Sequence, residues 1–149
     1  MAPSSEQFVH ESPYFPVLGG LLFVAFWLLI NLLVSRVGWH AFAAQHPAPT
    51  RPPGGTWASP FTSFGLLRSH YTYCVRVVFC DAGIYFSTSL LARAFHAPFL
   101  VPWASLKRVE AKTGLLPRYR LEIEDAAGEI HVTLAAKAKH ELLRYRKAA

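Results

Sequence analysis

Tyr71-Thr-Tyr-Cys-Val-Arg-Val-Val-Phe-Cys-Asp-Ala-Gly-Ile-Tyr-Phe-Ser-Thr-Ser-Leu90 alternates in side-chain character with a period of two. Tyr71, Tyr73, Val75, Val77 and Phe79 fall on one side, and Thr72, Cys74, Arg76 and Val78 on the other. Successive Cβ atoms of a strand point to opposite faces, so this spacing predicts a half-buried strand. Asp81-Ala-Gly83 supplies a tight turn, and Ile84, Phe86, Thr88 and Leu90 resume the alternation, which makes the whole a β-hairpin.

Toward the C-terminus the same logic repeats. After a loop from about residue 91 to 98, Phe99-Leu-Val-Pro-Trp103 reads as a short apolar strand whose proline argues for an edge, an end or a bulge, and Leu106 to Lys112 as another. Tyr119, Leu121 and Ile123 alternate with charged residues, Asp125-Ala-Ala-Gly128 turns the chain, and Ile130, Val132 and Leu134 return, giving a second hairpin. Over Ala135 to Lys147 the period changes: Ala138, Leu142 and Tyr145 recur at i, i+4 and i+7, with basic residues around them, which predicts an amphipathic C-terminal helix.

Toward the N-terminus the pattern is of another kind. Residues 17–34 contain no charge and, at helical rise, cover about 27 Å, the thickness of a bilayer's hydrocarbon core. The anchor is read as residues 17–37, running from Val17 through Phe26, Trp27 and Val34, with Arg36 snorkelling to the headgroups and Trp39 at the interface. Residues 1–16 carry Glu6 and Glu11 and no Lys or Arg, unlike the basic start of a cleaved signal peptide, so the anchor is expected to be retained. All fifteen Lys and Arg residues lie at or beyond Arg36, which puts the C-terminal domain in the cytoplasm and the N-terminus outside. Gly19, Gly20 and Asn31 are the positions through which the anchor would approach another helix.

Residues 38–63 read as an interfacial segment followed by a spacer, since Pro47-Ala-Pro-Thr-Arg-Pro-Pro-Gly-Gly55 is too rich in proline and too poor in apolar residues to pack. The domain is then residues 64–149. The predicted fold class is an N-terminal single transmembrane helix plus an α+β, mainly β domain: a bent antiparallel sheet with a C-terminal helix.

This element order is similar to that of pleckstrin-homology-like (PH-like) and GRAM-like domains. More specifically, Gly38-Trp39 after the anchor, Gly83-Ile-Tyr-Phe-Ser87, and His96-Ala-Pro-Phe-Leu-Val-Pro-Trp103 resemble small, uncharacterised bacterial single-span membrane proteins with a PH-like cytoplasmic domain. The resemblance implies a layout and an inner-membrane location, and no activity.

No nucleophile elbow, zincin motif or phosphate-cradling glycine loop is present. The seven histidines fall at no recognised metal-ligand spacing, and Cys74 and Cys80, placed in one strand roughly 20 Å apart, cannot pair. The expectation is therefore no enzyme, no metal and no cofactor; an enzyme would require His96, His131 and Asp81 to meet. Beyond Val37 fourteen basic residues face seven acidic ones, a net +7 that leans toward an anionic leaflet; no nucleic-acid-binding motif accompanies it. The function read from the sequence is a membrane-anchored, non-enzymatic module contacting lipid headgroups or a partner protein, with Lys107, Arg108 and Lys112 as the basic contact and His96 and Trp103 as the aromatic one. The alternative is a small accessory or assembly subunit of a larger membrane complex.

Overall fold

The computed structural model describes residues 14–65 and 69–148; the short N-terminal segment, with Glu6 and Glu11, lies outside the described residues apart from its last three positions. Helix α1 (Tyr14–Val34) is long and apolar enough to cross a membrane, and almost none of it is covered by the rest of the chain. It does not run on to residue 37. Val37 and Gly38 leave helical dihedrals, Gly38 at φ +114°, and the chain turns through Ser35–Trp39 into the short helix α2 (His40–Gln45). A Cβ at Gly38 would lie 2.8 Å from that of Phe64, so glycine serves both the turn and the close approach.

The rest is mainly β, in two antiparallel sheets closed by helix α3 (Ala138–Ala148). The four-stranded sheet has the order β1-β4-β5-β6, with β1 Thr56–Ser59, β4 Val75–Cys80, β5 Gly83–Thr88 and β6 Phe99–Val101. The five-stranded sheet has the order β3-β2-β9-β8-β7, with β2 Phe61–Phe64, β3 Ser69–Tyr71, β7 Leu106–Lys112, β8 Arg118–Asp125 and β9 Gly128–Ala135. Both expected hairpins are present: Cys80 pairs with Gly83 and Val75 with Thr88, while Asp125 pairs with Gly128 and Arg118 with Ala135. The chain passes between the sheets at Pro60, where the Ser59 hydroxyl reaches the carbonyls of Phe61 (2.9 Å) and Thr133 (2.8 Å) and accepts from Thr62.

Three expectations are corrected. Residues 38–63 are not an interfacial segment and a spacer: they supply β1 and most of β2 and put Trp39, Phe42 and Ala43 into the core. Only the stretch around 47–55 lacks regular structure, and its start is pinned to the open edge of β6, with Ala48 N–H donating to Pro98 O and Leu100 N–H to His46 O. Trp39 is thus a core residue of the domain rather than a membrane-interface one. The strand expected to run unbroken from Tyr71 breaks at Tyr73, whose φ of +55° turns the chain between β3 and β4; Cys74 therefore lies outside the strand that holds Cys80, and both thiols are free.

One apolar cluster fills the space between the sheets. Val75, Val77, Phe79, Ile84, Phe86, Phe99 and Val101 face Leu121, Ile123, Ile130, Val132 and Leu134. Ala138 and Leu142 of α3 close one end, and Tyr145 packs beside them, matching the predicted spacing. The helix is fixed by Glu141, whose carboxylate accepts from Gly55 N–H and from the Trp57 indole N–H.

Candidate functional site

Helix α1 joins the β domain through buried polar contacts. At the end of α1, Asn31 and Ser35 are buried although the helix around them is exposed. Their side chains turn back on the helix, to Trp27 O and Leu32 O. The domain reaches carbonyls at this end of the helix: the Ser69 hydroxyl donates to Val37 O at 2.6 Å, and Tyr71 OH stands 3.3 Å from Val34 O. Trp39, fully buried, donates its indole N–H to Ala97 O at 2.8 Å and packs on Phe64, Tyr71, His96 and Phe99, with ring centres 4.9–5.7 Å away.

His96 completes this knot. Its Nδ1 lies 3.0 Å from Ala94 O, and a carbonyl only accepts, so Nδ1 carries the proton. Nε2, 3.0 Å from Tyr71 OH, then accepts the phenolic hydrogen. Burial lowers the pKa of His96, against hydrogen bonds to Ala94 and Ala92 that raise it, and burial raises that of Tyr71, so both groups are held neutral.

Beside this junction the domain presents two contrasting features. The turn Leu90–Ala92, which follows β5, leaves Leu90 and Leu91 about four-fifths exposed (80% and 78%). Leu91 shares an apolar hollow of about 260 Å³ with Trp27, Ile30, Asn31 and Val34 of α1. Trp27 precedes Arg36 by nine residues, or about 14 Å at helical rise, so the hollow extends well along α1.

Behind the turn, the outer face of the four-stranded sheet carries a cleft of about 310 Å³ lined by Arg51, Arg76 and Arg93, with Thr56, Tyr85, Ser87, Thr88 and His96. Arg76 pairs across the sheet with Ser87, Arg51 arrives from the extended segment before β1, and Arg93 from the residue after the turn. Arg51 is held by Thr56 Oγ1 and Gly54 O. No carboxylate lines the cleft, and among the described residues neither Arg76 nor Arg93 has an acidic partner. Burial raises the pKa of Tyr85, with Arg93 and Arg51 pulling the other way. Thr88 is buried, and its hydroxyl has no hydrogen-bond partner.

The residues singled out from sequence fall elsewhere. Lys107, Arg108 and Lys112 are exposed on β7, at the edge of the other sheet, where Arg108 already pairs with Glu110 at 2.7 Å. Trp103 is half-buried, stacked on Phe79 and donating to Cys80 O, so it is a packing residue rather than a contact surface. His96 is buried in the junction. The structure does not bring His96, His131 and Asp81 together: His131 lies beside Glu122 and Glu129, and Asp81 is exposed in the β4–β5 turn. Among the described residues no group of three or more His, Cys, Asp or Glu side chains could hold a metal ion. Of the cleft arginines, the sequence reading placed Arg76 on one face of its strand and Arg51 in the proline-rich stretch, and gave none of the three a role.

No protein-family model matches this chain, nor does any curated protein or solved structure.

Proposed function

We propose that the protein is a membrane-anchored, non-enzymatic binding module, its PH-like domain held against the cytoplasmic face of the membrane by α1. The observation that carries this reading is the placement of the Leu90–Ala92 turn. Two leucines exposed to solvent would forfeit roughly 1.5–3 kcal/mol each relative to burial, and Leu91 shares its hollow with Trp27 and Ile30 of a helix whose own apolar surface is bare. Helix and turn together form one apolar surface that a bilayer would cover, so the domain touches lipid at two points rather than hanging from one. The excess of Lys and Arg after the anchor favours the cytoplasmic side.

The test is depth-dependent quenching. With Cys74 and Cys80 replaced by serine, a bimane label at Leu91→Cys in the reconstituted full-length protein is expected to be quenched by brominated acyl chains, and one at Lys107→Cys is not. A label at residue 91 quenched only by aqueous iodide would sink the two-point attachment, and full release of the protein by alkaline carbonate would sink the anchor itself. A stoichiometric membrane protein co-purifying in native nanodiscs would favour instead the accessory-subunit reading, with Gly19 and Gly20, which have no neighbour within 4 Å of an added Cβ, as the open helix face.

A further inference from the structure

We propose that the cleft lined by Arg51, Arg76 and Arg93 binds the phosphate group of an anionic phospholipid from the same leaflet that holds the anchor. This rests on the membrane reading above for the source of the phosphate, though not for the phosphate chemistry.

The charge pattern is the first ground. Three guanidinium groups face one concavity with no carboxylate among its lining residues, whereas Arg108 on β7 has its acid beside it. A planar guanidinium presents paired N–H donors that match the oxygens of a phosphate, and such charge-assisted bonds are about twice as strong as neutral ones. The second ground is the wall between the arginines: Ser87, paired across the sheet with Arg76, and Tyr85 stand on the same outer face of β5, with hydroxyls that can donate to a phosphate oxygen.

Position selects the source. Arg93 follows the Leu90–Ala92 turn directly, and Ser87 and Thr88 precede it, so the segment that would enter the acyl region is flanked on both sides by cleft residues. With the leucines below the headgroups and the cleft immediately behind them, a phosphate at headgroup level is the nearest anion. A soluble phosphate ester shares the chemistry and would have to reach the same place from water.

Full-length protein in a non-ionic detergent is titrated with phosphatidylglycerol, and bound lipid is counted by native mass spectrometry. The expected result is saturable binding that Arg76→Glu with Arg93→Glu weakens at least about tenfold, while Lys107→Glu with Arg108→Glu, carrying the same charge change, leaves it nearly intact. Ser87→Ala removes only the hydroxyl; it is expected to weaken binding severalfold without lowering the melting temperature, which a merely structural serine would not do. Equal loss in the Lys107/Arg108 variant would mean diffuse attraction and overturn the site. Inorganic phosphate is titrated in parallel: if it displaces the lipid at comparable concentration, the ligand is a soluble phosphate and the lipid assignment falls. Carbonate extraction of the same variants scores the anchor separately, so a failed anchor and a failed cleft give different results.

Discussion

Replacing Trp39 with alanine separates two physical roles that one aromatic residue after an apolar helix could play. At a membrane interface its loss would change the stability of the β domain by no more than about 0.5 kcal/mol, as for other surface substitutions. In the structure the ring is fully buried among Phe64, Tyr71, His96 and Phe99, and its N–H satisfies Ala97 O. Removing a buried tryptophan side chain costs about 3–5 kcal/mol in transfer and cavity terms, and losing its hydrogen bond to the carbonyl of the exposed Ala97 adds about 1 kcal/mol or less. The expected loss is therefore about 3 kcal/mol at least, enough to lower the melting temperature by about 10 °C or more in a domain of this size. Trp39→Phe keeps most of the packing and loses the hydrogen bond, so its cost should fall to about 1–2 kcal/mol. The assay is urea unfolding of the full-length protein in detergent, followed by near-ultraviolet circular dichroism, which reports the packed aromatics. A Trp39→Ala protein that unfolds within 1 kcal/mol of wild type, a difference of less than tenfold in the folding equilibrium, would refute the placement of Trp39 in the core.

Two further outcomes are expected. Gly83→Ala should destabilise by at least about 2 kcal/mol, because φ is +152° and the new Cβ would lie 2.1 Å from Val101 O; Gly20→Ala, with open space around it, should not, and equal thermal shifts for the two would contradict the packing of β5 against β6. Stability should also fall on acidification in two stages. His96 has a folded pKa below its unfolded value of about 6.5, so its contribution is whole above that pH and is lost as pH falls through the lower folded value. Asp125, lowered chiefly by the Ser105 hydroxyl, loses its contribution as pH falls below about 3.9 and through its own lower value. Melting curves against pH should show the first stage in wild type and lose it in His96→Gln; identical profiles would remove His96 as its cause.

The hairpins and the last helix were legible because their signals are local. Period-two alternation ending at Gly83 or Gly128 leaves few alternatives, and Ala138, Leu142 and Tyr145 mark one face of a helix. What the sequence hid is non-local. Strands β1 and β2 have four residues each and are separated by Pro60, too short for alternation to show, and they exist because β4 and β9 offer them edges. The break at Tyr73 is invisible to periodicity, since a non-glycine residue at positive φ leaves the apolar pattern intact. Asp125 read as a turn residue, yet its carboxylate gathers Gln45 and His46 from one distant segment and Ser105 from another. The cleft was hidden for the same reason: Arg51, Arg76 and Arg93 come from an extended segment, a strand and the end of a turn, and no spacing links them.

The burial of Trp39 also bears on how the proposed cleft would work. A domain on a flexible proline-rich tether would sample many orientations, and a lipid would be captured only by the fraction with the cleft facing the leaflet. Here the Val37 carbonyl is bonded to Ser69, Tyr71 stands against Val34 and bonds to His96, and Trp39 and Phe42 lie in the core, so helix and sheet are docked with no free linker between them. The segment rich in proline follows that clamp and runs along β6, where it brings Arg51 to the cleft instead of separating the domain from the membrane. Orientation is then set when the chain folds, and the entropy of aligning the cleft with the membrane is not lost again at each binding event. Loosening the clamp, as in Trp39→Ala, should therefore weaken lipid retention even though Trp39 does not line the cleft, and restoring the ring in Trp39→Phe should recover most of it.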